Sequence, residues 1–414
     1  MNKTGYLKPT RLASVADVIF SNVDKLSSSG EIQIRLCNYT DVYYNRRIHS
    51  RLQFKLATAT SREIERFRLL AGDVVITKDS ESADDIAVPA YVDDNIPNLV
   101  CGYHLAILRP KKDILDGRFL TQLLQQQHTR QYFATLANGV TRFGLGTDAI
   151  NEARIRLPNI AVQRKIADIL TTWDEALEKL DALIAAKERR KKVLMQKLLT
   201  SRMRFPALAN SPWKEVRMGE LLSRVYRPID WTADMKLSLV SLRRRCGGLF
   251  RRPVVLGADY KTQDLHELKV NDFLVSKRQV SHGAWAMVPS GFEGSHVSKE
   301  YAIFVNTSPD RLYMPYFAWL AQTPCMIHLA RVASTGVHIE KLIFDPKEFL
   351  RKSIRIPVAI TEQKQIAAIL DSIQLELHLL RAHRHARAQQ KRGLMQQLLT
   401  GKVRVNISQG GQYA

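Results

Sequence analysis

The sequence is poor in cysteine and lacks the motifs of the common enzyme classes. Its four cysteines are scattered, with no C-x-x-C pair, so neither a zinc site nor a disulfide framework is expected. No G-x-x-x-x-G-K-[ST], no G-x-G-x-x-G after a strand, no H-E-x-x-H and no G-x-S-x-G occurs, and no two prolines are adjacent. These absences argue against a nucleotide-driven enzyme, a zinc protease, a serine hydrolase and an amino-methyltransferase.

Long apolar runs are also missing. No stretch of about 18 apolar residues occurs, so no membrane-spanning helix is expected, and residues 1–10 lack the apolar centre of a secretory signal. With the scattered cysteines, this favours a reduced, cytoplasmic location. Because 45% of the 414 residues are hydrophobic, we expect two or three domains with real cores.

Acidic residues are scarce relative to basic ones. Lys and Arg number 62 against 40 Asp and Glu, which gives a formal net charge of +22. A globular protein this basic usually binds a polyanion such as nucleic acid. A charge surplus that serves only solubility is the alternative. A membrane surface is disfavoured, because no basic amphipathic segment with a large apolar face occurs.

What the chain does contain is an internal repeat. LMQKLLT at residues 194–200 returns as LMQQLLT at residues 394–400. The match begins near Gln163 and Gln363 and keeps an offset of 200 residues to the end of both phrases. A duplication of this length predicts two copies of one structural element.

Both copies predict a long helix with one apolar stripe. Apolar residues recur at alternating steps of four and three, with Lys or Arg at the missing positions. This period of 3.5 residues is typical of a coiled-coil seam, so we expect the two helices to pair with each other. The alternative is that each helix packs only on its neighbouring domain. The predicted seam consists of Ile166, Leu170, Trp173, Leu177, Leu180, Ile184, Leu194, Leu198, Ile366, Leu370, Ile373, Leu377, Leu380, Leu394 and Leu398.

The segments between the helices repeat only in outline. The recurring phrases are LLAGDVVITKDS (69–80) with LKVNDFLVSKRQ (268–279), HLAIL (104–108) with EYAIF (300–304), and ANGVTRFGL (137–145) with STGVHIEKL (334–342). Short β-rich runs mixed with a few helices predict an α+β fold, with two mixed α/β domains each followed by a long helix. The expected boundaries are 1–157, 158–204, 205–356, 357–405 and a flexible tail at 406–414.

One weak match to a nuclease exists. Asp259 is followed by Glu267 and Lys269, and an acid with Glu-x-Lys can hold a divalent cation in nucleases. Three common residue types at such loose spacing arise readily by chance, so a structural role is the preferred interpretation, and no metal site is expected.

Two divergent domains, each followed by a near-identical long helix, resemble the DNA-specificity subunit of a type I restriction–modification enzyme. The phrases IQIRLCNYTDV (32–42) and GDVV (72–75) also resemble the target-recognition domains of that family. The positions in the repeat that carry the resemblance are Pro158, Gln163 and Ile166 with LMQKLLT, and Pro357, Gln363 and Ile366 with LMQQLLT.

The resemblance implies a non-catalytic subunit of a phage-defence system. Each domain would read one half of a split double-stranded DNA target, and the helices would pair antiparallel as a spacer with pseudo-twofold symmetry. Two methyltransferase subunits and motor–nuclease subunits would be its partners, and S-adenosylmethionine, ATP and Mg would belong to them. A helix of about 30 residues is roughly 45 Å long, comparable with one DNA turn of about 34–36 Å.

Basic, amide, aromatic, hydroxyl and acidic side chains in polar stretches of both domains are the candidates for DNA contact. Arg can bind guanine through two hydrogen bonds, and Asn or Gln can bind adenine in the same way. The predicted DNA-binding residues are Arg35, Asn38, Tyr39, Tyr43, Arg46, Arg47, Lys78, Asp79, Ser80, Thr141, Arg142, Arg243, Arg244, Arg245, Lys277, Arg278, Gln279, Thr335 and His338.

Two other functions remain as alternatives. A free-standing DNA-binding or scaffold protein of another phage-defence or regulatory system would have no methyltransferase among its partners. A self-contained nuclease would cleave DNA with magnesium and would lose that activity in a Glu267→Ala variant.

Overall fold

In the computed structural model, residues 7–230, 232–260 and 264–406 are described, so residues 407–414 of the expected tail lie outside the described residues. The chain divides into two units, residues 1–181 with 382–414 and residues 182–381. Each unit therefore combines one globular domain with the first half of the helix that follows it and the second half of the other long helix.

The first unit begins and ends its globular domain on short strands. Its strands are β1 (Lys8–Arg11), β2 (Ala16–Phe20), β3 (Ile32–Cys37), β4 (Arg47–Ile48), β5 (Lys55–Ala59), β6 (Val74–Thr77), β7 (Asp79–Ser80), β8 (Pro89–Val92), β9 (Leu99–Cys101), β10 (Leu105–Pro110), β11 (Phe143–Gly144) and β12 (Arg154–Leu157). Its helices are α1 (Leu12–Val15), α2 (Tyr39–Tyr43), α3 (Ser61–Phe67), α4 (Gly117–Leu124), α5 (Gln127–Leu136) and α6 (Thr147–Asn151), and α7 (Ile160–Leu198) follows.

The second unit is richer in short strands. They are β13 (Trp213–Arg217), β14 (Leu222–Val225), β15 (Lys236–Leu237), β16 (Val240–Leu242), β17 (Leu249–Arg251), β18 (Val255–Leu256), β19 (Leu265–Glu267), β20 (Phe273–Ser276), β21 (Trp285–Met287), β22 (His296–Ser298), β23 (Tyr301–Asn306), β24 (Ser334–Thr335), β25 (Ile343–Phe344) and β26 (Ser353–Pro357). The helices are α8 (Met314–Leu320), α9 (Pro324–Val332), α10 (Pro346–Leu350) and α11 (Ile360–Leu399).

The same sheet lies at the centre of both units. The first unit has the strand order β2-β10-β6-β8-β4, and the second has β14-β23-β20-β21. The first four strands correspond one to one, with antiparallel neighbours throughout, and β4 is an additional strand parallel to β8. Because β6 is apolar and buried along its whole length, it reads as a central strand with both faces covered. The predicted α+β class is confirmed.

A buried glutamine connects each long helix to its own domain. Gln163 is 1% exposed. Its side-chain oxygen accepts from the Asp116 N–H at 3.0 Å, and its amide group donates to the carbonyls of Ile114 (3.0 Å) and Pro158 (2.9 Å). Gln363 makes three equivalent bonds in the second unit. The glutamine recurs in the repeat because it satisfies backbone groups that would otherwise be buried without partners.

The two long helices pair antiparallel, and the pairing is visible within each unit. In the first unit Leu398 shares a buried cluster with Ile166, and Arg384 donates to Asp181 at 2.9 Å. Higher residue numbers on α7 therefore meet lower numbers on α11. This confirms the predicted pairing of the two helices.

The second unit repeats this arrangement with the roles of the helices exchanged. Leu198 shares a buried cluster with Ile366, and Lys187 Nζ lies 2.6 Å from Glu376 Oε1. The first half of each helix also packs on its own domain, because Ile166 and Ile366 belong to the domain clusters. The alternative that each helix packs only on its neighbouring domain is therefore wrong, because each apolar stripe contacts both the other helix and the domain.

Both helices end in the same way. The Met203 N–H donates to the Lys197 carbonyl, and the Val403 N–H donates to the Gln397 carbonyl. In each copy the bond reaches back six positions across a residue in the left-handed conformation and satisfies a carbonyl of the last helical turn. The left-handed residue is Gly401 in the second copy but Ser201, with φ of 58°, in the first. The phrases LMQKLLT and LMQQLLT therefore encode one helix terminus twice.

Candidate nucleic-acid interface

The first unit has a cleft beside the start of β10 and the end of β3. Its volume is about 210 Å³, and its lining is mostly apolar and aromatic. We call it the first cleft; its lining residues are Val23, Asp24, Lys25, Leu36, Asn38, Tyr39, Gly102, Tyr103 and His104. Two of the predicted DNA-binding residues, Asn38 and Tyr39, therefore lie in one concave surface.

The second unit has a cleft beside the start of β23, which is the counterpart of β10, and the end of β20. Its volume is about 430 Å³. We call it the second cleft; its lining residues are Ser241, Leu242, Phe250, Ser276, Arg278, Gln279, Glu300 and Tyr301. This lining includes the predicted residues Arg278 and Gln279. The two clefts meet at one equivalent position of the fold, His104 and Glu300, and otherwise have different linings, as two readers of different bases require.

Backbone hydrogen bonds establish that the strand ends beside the two clefts correspond. The Lys78 N–H donates to the His104 carbonyl at 3.0 Å, and the Lys277 N–H donates to the Glu300 carbonyl at 3.0 Å. Both bonds extend the ladder between the same two sheet strands, β6 with β10 and β20 with β23. The alignment of the two strand phrases made from the sequence therefore holds at this edge.

The lysines beside the two clefts, Lys78 and Lys277, are predicted to contact DNA, but both have partners within their own units. Lys78 Nζ lies 4.6 Å from the Tyr103 ring centroid and 5.1 Å from that of Phe20, so two aromatic faces hold the ammonium group. Lys277 Nζ donates to the Lys299 carbonyl. Burial, together with the nearby Arg224, lowers the pKa of Lys277. Both lysines support the shape of the cleft edges.

A glycine turn lies beside each cleft and exposes a valine. Gly139 has φ of 137° and Gly336 has φ of 146°, a region that side chains rarely tolerate. Val140 and Val337 are 93% and 94% exposed. The predicted residues Thr141, Arg142, Thr335 and His338 follow or flank these turns and are exposed.

The ungapped alignment of the two glycine loops is wrong at its far end. The Leu145 N–H donates to the Lys78 carbonyl, whereas the equivalent bond to Lys277 comes from Phe344 and not from Leu342. The second loop is therefore two residues longer. Loops tolerate insertions, and the length of this loop depends on which backbone groups close it. The amino-acid sequence alone therefore did not reveal the insertion.

The Arg243–Arg245 run lies on the turn between β16 and β17. The Arg243 N–H donates to the Gly248 carbonyl, and the Arg245 N–H donates to the His282 carbonyl, so the turn is fixed at both ends. All three arginine side chains are exposed, and the Arg243 guanidinium lies 4.7 Å from the ring of Phe250, which lines the second cleft.

The predicted tyrosines of the first unit stack on each other. The rings of Tyr39 and Tyr43 are 5.4 Å apart and nearly parallel, and α2, which carries them, begins with Asn38 and Asp41 capping each other. The Tyr39 and Ser80 hydroxyls are 3.2 Å apart. Burial raises the pKa of Tyr39, so its hydroxyl stays protonated and can donate a hydrogen bond.

Three predicted arginines have partners inside the first unit. Arg35 donates to the Pro97 carbonyl. Arg46 forms an ion pair with Asp174 of α7, and Arg47 forms ion pairs with Asp93 (2.6 Å) and with a second acid on α7. Arg46 and Arg47 therefore connect the first domain to α7. Their contact with DNA remains a prediction.

The predicted seam residues are all buried or half-buried, and polar side chains occupy the gaps between them. Lys391 Nζ lies 2.7 Å from both carboxylate oxygens of Asp174, and Gln122 of α4 donates to the same carboxylate at 2.7 Å. Burial alone would raise the pKa of Asp174, but Lys391 and Arg46 outweigh it, so the pKa is lowered.

At the equivalent position in the second unit, the partner of the lysine is a neutral side chain. Lys191 Nζ donates to Gln374 at 2.7 Å and lies 4.7 Å from the ring centroid of Trp319. Burial lowers the pKa of Lys191. Sequence reasoning placed both lysines in gaps of the seam but missed Asp174, Gln374 and Trp319.

The nuclease candidates are not assembled into a metal site. Among residues 7–230, 232–260 and 264–406, no group of three His, Cys, Asp or Glu side chains could hold a metal ion. The Glu267 carbonyl accepts from Arg227, and the Lys269 N–H donates to Asp272, so this segment serves the turn before β20. Within the same residues no helix is both long and apolar enough to cross a membrane.

Comparison with known proteins agrees with these features. Residues 11–187 match the family described as type I restriction modification DNA specificity domain. The putative type I restriction enzyme MjaX specificity subunit of Methanocaldococcus jannaschii is 23% identical over 375 residues, which are 83% of this chain and 81% of that protein.

Two solved structures share the fold. The type I restriction–modification S subunit from M. genitalium aligns with a TM-score of 0.59 at 14% identity, over 96% of this chain and 97% of that one. A chain from a structure on complex assembly and conformational transition of the type I R-M system aligns with a TM-score of 0.56 at 16% identity, over 97% of this chain and 100% of that one.

The duplicated sheet and the paired helices are thus the fold of these two solved structures. The family model therefore covers the first globular domain and most of α7, residues 11–187, and the whole chain shares its fold with the S subunit of a type I system and with a chain from a structure of the type I R-M system. In such a system the specificity subunit is not itself the enzyme, because catalysis is carried by partner subunits.

Proposed function

We propose that this chain is the DNA specificity subunit of a type I restriction–modification system and directs DNA methylation to a split, non-palindromic sequence, with each globular domain reading one half. Residues 1–157 and 205–356 are the proposed target-recognition domains, and residues 158–204 and 357–405 form the proposed spacer. The observation that carries the proposal is the pair of clefts, which lie beside corresponding strands, β10 and β23, of the duplicated sheet but have different linings.

The surroundings of the clefts suit a nucleic acid. Arg142 and His338 flank the glycine turns, the exposed Arg243–Arg245 turn adjoins the second cleft, and the net charge is +22. Contacts from exposed cations to phosphate fix the pose of a protein on DNA, while side chains in the groove select bases. The predicted DNA-binding residues beside the clefts and turns are thus proposed to divide into these two tasks.

We further propose that two methyltransferase subunits and motor–nuclease subunits assemble on the helical regions. S-adenosylmethionine, ATP and Mg are assigned to those partners, since the sequence carries no motif for them. Because cellular DNA is the proposed target, the complex would work in the cytoplasm. The repeated helix offers two equivalent surfaces, one in each unit, to a single kind of partner.

The test combines the purified chain with its methyltransferase partner. The chain alone is expected to leave DNA unmethylated, while the two proteins with S-adenosylmethionine methylate a two-part motif that sequencing of the product identifies. Methylation or cleavage by the chain alone would contradict the proposal. So would a complex isolated from cells that contains no methyltransferase, because that result favours a scaffold protein.

A further inference from the structure

The same edge of the central sheet carries one side-chain pair in each unit, with the charges of its two members exchanged. In the first unit His104 Nδ1 and Asp79 Oδ2 are 3.1 Å apart. In the second unit Arg278 Nε donates to Glu300 Oε2 at 2.6 Å. Asp79 and Arg278 each follow the lysine that ends the central strand, and His104 and Glu300 each precede the strand beside it. One position of the fold thus carries an acidic residue, Asp79, in the first unit and a basic residue, Arg278, in the second.

The correspondence does not depend on the sequence alignment alone. The backbone carbonyls of His104 and Glu300 accept from the lysines before Asp79 and Arg278, each at 3.0 Å. The carbonyls of these same lysines accept from Leu145 and Phe344. With both neighbouring strands bonded in the same way, the two pairs project from equivalent backbone positions.

We propose that this pair is a specificity determinant of each domain. Asp79 accepts from the exocyclic amino group of a cytosine in the first half-site, and Arg278 donates to the O6 and N7 of a guanine in the second. His104 and Glu300 are positioning residues that orient them. The inference rests on the function proposed above and adds the class of base that each half-site presents at one position.

The chemistry of the two groups supports the assignment. A carboxylate is purely an acceptor, which suits the cytosine N4 amino group, whereas a guanidinium is purely a donor and matches the two acceptors of guanine. Glu300 engages Nε of Arg278, and the two terminal nitrogens supply further donors for a bidentate contact.

Exposure leaves both pairs within reach of a ligand. The side chains of Asp79 and His104 are 25% and 30% exposed, and those of Arg278 and Glu300 are 65% and 49% exposed. The side chains are ordered by their partners but are not enclosed. That combination is expected of a group that must present a fixed hydrogen-bonding pattern to a groove.

The experiment expresses the full chain, wild type or variant, with its methyltransferase partner in cells without other methylation, and sequences the methylated genomic DNA. For Arg278→Ala we expect one guanine of the second half-site to become degenerate, with roughly a tenfold to hundredfold loss of discrimination, while the first half-site stays unchanged. Asp79→Ala should relax one cytosine of the first half-site only.

Matched variants separate reading from folding. Arg311→Ala removes an exposed arginine of the second unit that pairs with Glu220, and its methylated motif should equal that of the wild type. Glu300→Gln should lower the level of methylation without relaxing the guanine, and Glu300→Asp should restore it. Arg278→Lys keeps the charge but loses the bidentate contact, so it too should relax the guanine.

The outcomes distinguish this inference from the proposed function. If the wild type methylates a two-part motif and the Arg278→Ala and Arg278→Lys motifs both keep every guanine, the specificity pair is overturned and the proposed function stands. If the wild type yields no two-part motif, the proposed function fails and the inference fails with it.

Discussion

Lys391 of α11 and Asp174 of α7 form a buried ion pair, with the lysine nitrogen 2.7 Å from both carboxylate oxygens and side-chain exposures of 5% and 6%. At the equivalent position of the second unit, Lys191 meets the neutral amide of Gln374. The two ends of the helical repeat thus use the same lysine against partners of different charge, and the consequences for stability should differ.

Removing the carboxylate should destabilise the first unit strongly. In Asp174→Ala the Lys391 ammonium group stays buried without its partner, and breaking such a pair costs about 3–5 kcal/mol. The free energy of unfolding in urea is the measurement. Gln374→Ala is the matched control and should cost about 1 kcal/mol, because only a neutral acceptor is lost. Equal losses in both variants would contradict the assigned difference.

The same pair predicts a dependence of stability on pH. The pKa of Asp174 is lowered in the folded protein, so its contribution is fully present above the ordinary carboxyl pKa of about 4 and is lost as the pH falls through the lowered value. We therefore expect the stability gap between wild type and Asp174→Asn to be constant near neutral pH and to shrink in acid. A gap that widens in acid would refute the assigned direction.

The buried glutamines should stabilise the loops that precede α4 and α8, because Gln163 binds the Asp116 N–H and Gln363 binds the Tyr313 N–H. Gln163→Leu leaves the Asp116 N–H and two carbonyls without partners, at a cost of about 1–3 kcal/mol for each buried group. Hydrogen exchange at the Asp116 amide should become faster, while the Tyr313 amide, which is held by Gln363, should keep its protection. Gln363→Leu should give the reverse pattern.

The glycine turns should differ in their tolerance of alanine. A Cβ on Gly139 would lie 1.9 Å from the Arg142 carbonyl oxygen, and one on Gly336 would lie 2.9 Å from that of Lys341. Gly139→Ala should therefore distort its loop more and reduce affinity for DNA of the first half-site more than Gly336→Ala does for the second. Binding assays on each half-site, with unfolding temperatures measured in parallel, would detect the opposite order.

Binding should depend on salt through exposed cations at the turns. Each phosphate contact contributes a slope of about −0.9 to log affinity against log salt. Arg142→Gln should make the slope shallower by about one contact. Arg164→Gln, which removes an exposed arginine paired with Asp113 at the start of α7, should leave it unchanged. A slope near zero in the wild type would exclude extensive phosphate contact.

The duplication was predictable because the ends of the two helices, LMQKLLT and LMQQLLT, differ at one position and matched residues precede them at the same offset. Gln163 and Gln363 could be aligned from the sequence, and their equal hydrogen bonds explain why both copies retain the residue. The central sheet was predictable from one apolar strand phrase in each domain, since β6 and β20 hold the same place in the sheet order. The helices extend over 39 and 40 residues.

The clefts were only partly predictable. Asp79 and Arg278 could be proposed from the polar ends of strands, but His104 and Glu300 come from a neighbouring strand, and only the sheet register brings them near. The aligned phrases HLAIL and EYAIF begin with His104 and Glu300, which differ in charge, and this difference was the only indication in the sequence. The pairing of Arg46 with the helix could not be anticipated, since it depends on tertiary packing.

The division of the chain bears on the order in which the protein is completed during synthesis. The second unit is a continuous stretch, residues 182–381, whereas the first needs residues 382–399 to cover the stripe that contains Ile166 and Leu170. The domain that leaves the ribosome first is therefore finished last. Until residues 382–399 have been synthesised, the apolar stripe of α7 remains exposed to solvent. A nascent chain that stalls before residue 382 would therefore present an exposed hydrophobic surface to chaperones.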